Sequence, residues 1–315
     1  MADVETPSVK HVKIVEVGPR DGLQNEKTII STDAKLDYIG KLADAGLKYI
    51  EVTSFVHPKA IPQLYDALDV VKGLPTNRPD VHFSALVPNM KGLDRALESG
   101  IREIAVFTAA SNTFNKRNIN MTIDESFENF GPVIRRALQE GMFVRGYIST
   151  AFYCPYEGKI DKTVSLQVTQ RLLELGVEEI SIGDTLGQAN PADVSDTMSH
   201  MLRYIPLNKV AMHFHDTNGL ALENVQASLD LGISIYDSSA GGLGGCPYAP
   251  GASGNLSTDA LVQFLHHKGI QTGVDLEKLK AASATIHQVI ANTADMLNGV
   301  DTIQNLVYTP YPSPD

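Results

Sequence analysis

Eight times along the chain, a short strand-like apolar segment is followed by a segment with helical signals. The strand segments fall at 12–17, 49–53, 81–87, 103–107, 143–149, 178–182, 209–217 and 233–238. The helical segments fall at 31–45, 61–72, 91–99, 124–140, 163–175, 191–203, 221–231 and 257–267. Glycines at 46, 73, 100, 141, 176 and 269 mark helix stops. Strict alternation of this kind implies parallel strands joined by helical crossovers. Eight such pairs over about 250 residues match the closed α/β architecture of the (β/α)8 TIM barrel. A doubly wound open sheet is the other arrangement with this alternation. No Gly-x-Gly-x-x-Gly follows the first strand, which weakens its dinucleotide-binding version. Residues 9–270 are thus expected to form the barrel. Residues 271–315 would form a C-terminal helical extension, helical over 275–297, with a Pro-rich tail, TPYPSPD.

Composition narrows the partners. Hydrophobic residues make up 43% of the chain, enough for a core of barrel size. The net charge of -11, with no long basic run, argues against nucleic acid or an anionic membrane as a partner. An anionic substrate must instead meet a few local Lys or Arg side chains. The two cysteines, Cys154 and Cys246, are no disulfide framework and suit a reducing compartment. No apolar run approaches the length of a membrane span. The first ten residues, MADVETPSVK, have Asp3 and Glu5 but no Arg, and read as neither a signal nor a transit peptide. The cytoplasm is the expected location, and a homo-oligomer, dimer or higher, the expected assembly.

In a barrel the chemistry sits at the C-terminal ends of the strands. There the sequence places Arg20 and Asp21 after the first strand, Glu51 in the second and CPYEG (154–158) after the fifth. Asp184 follows the sixth strand, and His213, His215 and Asp216 end the seventh. GGLGGCPYAPGASGN (241–255) follows the eighth. His213 and His215, two apart in a strand, face the same side and can hold one metal ion. A polar strand end with two hydrogen-bonded histidines is the competing reading. With Asp21 and Asn255 as oxygen donors, the set suits Mg²⁺ or Mn²⁺ with positions left for substrate. A structural zinc site would ask for four closing ligands, typically with thiolates. Asp21 and Asn255 also fit plain turn roles. The glycines around Leu243 make the last loop a natural lid, and Cys246 on it a thiol able to reach a bound substrate. A small buried hydrophobe is the alternative for Cys246, and Cys154 is the rival thiol.

These segments carry a resemblance. VGPRDGLQNEK (17–27), EVTSFV (51–56), NKRNIN (115–120), CPYEGKI (154–160), GDTLG (183–187), HFHDT (213–217) and the glycine-rich loop look like the 3-hydroxy-3-methylglutaryl-CoA lyase family. The likeness runs from about Val12 to Gly273, and GGLGGCPYA is its most specific part. It implies a barrel that uses a divalent metal to cleave 3-hydroxy-3-methylglutaryl-CoA to acetyl-CoA and acetoacetate, as in leucine catabolism. By the family match, Asp21, His213, His215 and Asn255 would be metal ligands. Arg20 would be the catalytic cation and Cys246 the catalytic thiol, with Glu51 and Asp184 completing the polar site. Gln188, the TAFY run at 150–153 and Asn218 depart from the family's usual residues near the mouth, and bear on the acyl group more than on the chemistry.

The residue types suit that reaction. The tertiary hydroxyl must lose a proton, for which Asp21 or a histidine at the metal is a candidate. The enolate oxygen needs a fixed positive donor, which suits Arg20. The nascent carbanion needs a proton, which suits Cys246. The phosphates of an acyl-CoA substrate could meet Lys27, Lys59, Lys91, Lys116 or Arg117, and Lys27 stands out for its nearness to Arg20 and Asp21. Alternatives are a lyase for a longer 3-hydroxy-3-alkylglutaryl-CoA, a condensing acyltransferase of the isopropylmalate or homocitrate synthase type, and a hydrolase using metal-bound water. The Cys246 loop argues against the second.

Overall fold

The computed structural model describes residues 9–244 and 254–307, with side chains described up to residue 294. Eight parallel strands close into a barrel: β1 (Lys13–Glu16), β2 (Tyr49–Ser54), β3 (His82–Leu86), β4 (Glu103–Ala109), β5 (Phe143–Ser149), β6 (Glu179–Asp184), β7 (Val210–Phe214) and β8 (Ile235–Ser238). Each strand pairs with its neighbours in sequence, and β1 pairs with β8 to close the ring, Lys13 opposite Ile235 and Glu16 opposite Ser238. The crossovers include α1 (Thr32–Asp44), α2 (Ala67–Lys72) and α3 (Met90–Ser99). After β4 come two helices, α4 (Asn112–Ile119) and α5 (Ile123–Gln139). Then follow α6 (Lys162–Glu174), α7 (Pro191–Met201), α8 (Ala221–Leu229) and α9 (Thr258–His267). A final helix, α10, spans Leu276–Val307.

Local chemistry explains the boundaries. Ser31, Asn89, Asp161 and Ser257 cap α1, α3, α6 and α9 by accepting an amide of the first turn. Thr122 with Glu125, and Asn190 with Asp193, form reciprocal capping boxes on α5 and α7. One helix expected over 61–72 is instead a short 3-10 turn, Pro62–Leu64, followed by α2. The break sits where side chains are tied to α1 and the residue before its cap. Gln63 Oε1 accepts from the Ile30 amide at 2.8 Å, and Asp66 accepts from Lys35 Nζ at 2.7 Å and Thr32 Oγ1 at 2.8 Å.

The apolar face of the helices and the outward face of the strands form one continuous core, including Val12, Ile50, Val106, Val144, Ile180 and Phe214. The barrel interior is partly ionic. Arg145 donates from Nε to Glu179 at 2.8 Å, and Lys13 Nζ donates to the same carboxylate at 2.8 Å. These charges are partnered, as burial requires. Helix α10 packs on α1 and α9, with Leu279, Ala282 and Ile286 buried. No helix among the described residues is long and apolar enough to cross a membrane.

Candidate active site

A cavity of about 720 Å³ opens at the C-terminal ends of the strands, within the usual range for small-molecule sites. Its polar wall carries Arg20, Asp21, Gln24, His213, His215 and Asn255. An apolar arm runs past Leu86, Phe107, Phe114, Ile119 and Phe130.

Arg20 and Asp21 sit on a tight π-helical turn, Gly18–Gly22. The amides of Arg20, Asp21 and Gly22 all donate to the Val17 carbonyl, at 3.1, 2.7 and 3.2 Å, so the turn is held at the mouth of β1. Arg20 donates from Nε to Glu51 at 2.6 Å and from one terminal nitrogen to Asp21 at 2.5 Å. Burial disfavours its charge, but the Glu51 and Asp21 carboxylates hold its pKa above the ordinary value. Two donors are thus used for orientation, and the rest of the guanidinium fork is left for other groups. Tyr147 also lines the cavity; its hydroxyl donates to Glu51 at 3.1 Å, and its ring lies 5.3 Å from the Arg20 guanidinium carbon.

His213 is the next-to-last residue of β7, and His215 lies just beyond the strand, in an isolated bridge with Asn255. Asp21, His213 and His215 each offer a ligand atom, and these lie within 4.8 Å of one another. Asn255 donates from Nδ2 to Asp21 at 2.9 Å and to the Leu243 carbonyl at 3.2 Å. Its amide oxygen and His215 Nδ1 are buried without a hydrogen-bond partner among the described residues. Buried polar atoms of this kind need a partner. Two imidazoles, a carboxylate and an amide oxygen fit an octahedral divalent cation such as Mg²⁺ or Mn²⁺. Close packing explains Gly244: it has φ +94°, and a Cβ there would lie 2.7 Å from Asn255 Nδ2.

The electrostatics favour the ligand state of Asp21 and His215 and, with no cation bound, the protonated form of His213. Burial works against the Asp21 charge, but Arg20 first, then His213 and the Asn255 bond, hold its carboxyl below the usual carboxylate value. Burial and the neighbouring His213 push His215 down to about 3, leaving a neutral imidazole. For His213 burial opposes charging, but the Asp237 carboxylate outweighs it and raises the pKa. Asp237 was not a candidate from sequence. It lies 3.2 Å from His213 Nδ1 and receives two bonds from Arg145, at 3.0 and 2.6 Å, and one from Ser181 at 2.6 Å. A carboxylate behind a metal-binding histidine fixes its tautomer and ring orientation. Asp237→Asn is therefore expected to weaken Mn²⁺ binding by about 10- to 100-fold, read by calorimetry on the metal-free protein. Unchanged affinity would make Asp237 a partner of Arg145 only.

The family model described as HMGL-like matches residues 11–286. A mitochondrial hydroxymethylglutaryl-CoA lyase from Bos taurus is 49% identical over 291 residues, covering 91% of this chain and 89% of its own. The crystal structure of the Bacillus subtilis HMG-CoA lyase superposes with a TM-score of 0.89 at 48% identity, covering 90% of this chain and 95% of that one. The chain belongs to the hydroxymethylglutaryl-CoA lyase family. A further HMG-CoA lyase structure, from A. baumannii in complex with coenzyme A and 3-methylmalate, has a TM-score of 0.85 at 40% identity, covering 90% of this chain and 92% of that one.

Of the residues that the lyase-family resemblance implies, Arg20, Asp21, His213, His215 and Asn255 meet in the cavity wall. Glu51 stands behind Arg20 and does not line the cavity. Asp184 is turned away from it: its carboxylate accepts the Gln188 and Ala189 amides, at 3.2 and 3.0 Å, and so shapes the loop after β6. Burial pushes its pKa up to about 6. Lys27 is exposed and does not line the cavity. Cys154 is a core residue, 3% exposed, with Sγ 3.0 Å from Ser111 Oγ, which removes it as the rival thiol. Cys246 lies outside the described residues.

Proposed function

We propose that the chain cleaves 3-hydroxy-3-methylglutaryl-CoA to acetyl-CoA and acetoacetate with a bound divalent cation, Mg²⁺ or Mn²⁺. The observation that carries this reading is the meeting of Asp21, His213, His215 and Asn255 beside Arg20 in one cavity. The likeness to lyases, one of them holding coenzyme A and a small hydroxy acid, supports the same substrate class.

Asp21, His213, His215 and the Asn255 amide oxygen would hold the cation, which supplies Lewis acidity toward the hydroxyl and carboxylate of the acyl group. Loss of the hydroxyl proton to an acceptor of this cluster starts the cleavage. The bond between the hydroxyl-bearing carbon and the carbon next to the thioester breaks, leaving a ketone and an enolate. Arg20, fixed by Glu51 and Asp21, directs its remaining donors at the enolate oxygen, where charge develops. The apolar arm excludes water from the acyl group. The carbon of the enolate then takes a proton, which we assign to the Cys246 thiol from the glycine-rich signature around it.

Cys246→Ser should lower turnover by roughly 100-fold or more with metal affinity near normal, while Cys154→Ser should cost far less. Iodoacetamide labelling with peptide mapping, run beside the two kcat values, checks this. An active Cys246→Ser enzyme would move the proton donor elsewhere. A thiol in this role must stay reduced, which suits a reducing compartment such as the cytoplasm. The function itself is tested by acetoacetate release from the thioester after chelation and metal add-back. A panel of longer 3-alkyl thioesters separates the acyl classes. No acetoacetate from a metal-loaded, folded protein would end the reading.

A further inference from the structure

Glu16 is a carboxylate that the mechanism leaves without a task. It is the last residue of β1 and is fully buried. Among the described residues it pairs with no cation, which a buried carboxylate ordinarily requires. Its three partners are neutral. Oε1 accepts from the Gly18 amide at 2.7 Å and from the Ala240 amide at 2.9 Å, and Oε2 accepts from Thr258 Oγ1 at 2.7 Å.

Those partners open or close the segments that carry the site. Gly18 begins the turn that bears Arg20 and Asp21. Ala240 begins the turn that leads to Leu243 and Gly244, whose carbonyls accept from Asn255. Thr258 begins α9, three residues after Asn255. Asn255 in turn donates to Asp21, so the contacts form a closed circuit around Glu16. The circuit is tight. A Cβ on Gly18 would lie 2.6 Å from Glu16 Oε1 and 2.7 Å from the Tyr38 hydroxyl.

We propose that Glu16 is a positioning residue, the common acceptor that holds the Arg20–Asp21 turn in register with Asn255 across the seam between β1 and β8. This rests on the lyase reading above, which wild-type acetoacetate release tests by itself. Geometry and not charge is what Glu16 supplies. Burial pushes its pKa up to about 7, against the bonds from Thr258, Ala240 and Gly18, and the neutral form keeps an acceptor for both amides. A glutamine can do the same. Its carbonyl oxygen accepts the two amides, and its NH₂ faces Thr258, whose hydroxyl can turn to Ser238 Oγ at 2.8 Å.

The test compares Glu16→Ala, Glu16→Gln and Thr258→Val for kcat, KM and Mn²⁺ affinity of the metal-free protein by calorimetry. Glu16→Ala is expected to lower kcat by about 100-fold with KM changed far less, since a displacement of about 1 Å remote from the chemistry costs that much. Mn²⁺ binding should weaken by about 10-fold through Asp21 and Asn255. Glu16→Gln should restore both to within about threefold of wild type. Should Glu16→Ala not fold, Thr258→Val carries the test. It removes the hydroxyl's bonds to Glu16 and Ser238 at nearly constant volume, and a drop of roughly 10-fold in kcat at unchanged KM is expected. Wild-type kcat and Mn²⁺ affinity in folded Glu16→Ala or Thr258→Val would overturn the proposal. So would a Glu16→Gln protein as impaired as Glu16→Ala, because the charge itself would then be the requirement.

Discussion

Arg20→Gln should lower kcat by about 100- to 1,000-fold and leave KM within a few fold of wild type. The expectation follows from how the guanidinium is held. Its Nε and one terminal nitrogen are committed to Glu51 and Asp21, so it cannot reorient toward a substrate that binds loosely. Donors fixed in advance of the charge they meet act on the transition state and cost no reorganisation. The variant should still fold. Glu51 is fully buried, and its pKa is already raised by burial against the pull of Arg20. Losing the cation moves Glu51 further toward its neutral form, and the glutamine amide and the Tyr147 hydroxyl remain as donors beside it. Arg20→Lys is expected to do little better, because one ammonium cannot serve the Glu51, Asp21 and enolate positions in the same plane. Steady-state kinetics decides. A normal kcat with a greatly raised KM would instead place Arg20 on a substrate carboxylate or a CoA phosphate.

His213→Ala and His215→Ala should each abolish detectable turnover and weaken Mn²⁺ binding by more than about 100-fold, since loss of an outer partner alone costs 10- to 100-fold. Both histidines offer donors to the same small space as Asp21. The two variants should differ in one respect. His213 is braced by Asp237, so its loss frees a carboxylate still held by Arg145 and Ser181, and the fold is spared. His215 Nδ1 is buried with no hydrogen-bond partner among the described residues, so no carboxylate braces it as Asp237 braces His213. A cation that binds only the native state stabilises it by mass action, by about 2.7 kcal/mol at a hundred times its Kd. The rise in Tm on adding Mn²⁺ to wild type should vanish in both variants. Folded variants that bind Mn²⁺ as tightly as wild type by calorimetry would show the ligand assignment to be wrong.

The barrel was legible because its signals are local and repeated: an apolar strand, a capped helix, a glycine stop, eight times over. Helix α4 was missed for the opposite reason. Asn112–Ile119 has only Phe114 and Ile119 as apolar side chains, too few for a helical period, yet Ser111 caps it and Phe114 is buried. The candidate ligands were legible from strand-end position. Which carboxylates face the cavity was not, because Asp184 and Glu51 differ only in where their loops and neighbours turn them. Asp237 and Arg145 lie inside IYDS and FVRGYIS, where a charged residue in an apolar strand is itself a signal of an internal ion network. Their pairing across 92 positions is a property of the closed ring alone.

That closure has a consequence for how the protein is made. Asp21 and Asn255 are 234 positions apart and are brought within hydrogen-bond reach only when β8 pairs with β1. The proposed cation site therefore cannot form on a nascent chain until Asn255 has been synthesised and β8 has met β1. Closing so long a loop is entropically costly and slow relative to local helix formation. A cation held by these residues, as proposed, would act as a latch that rewards only the completed ring.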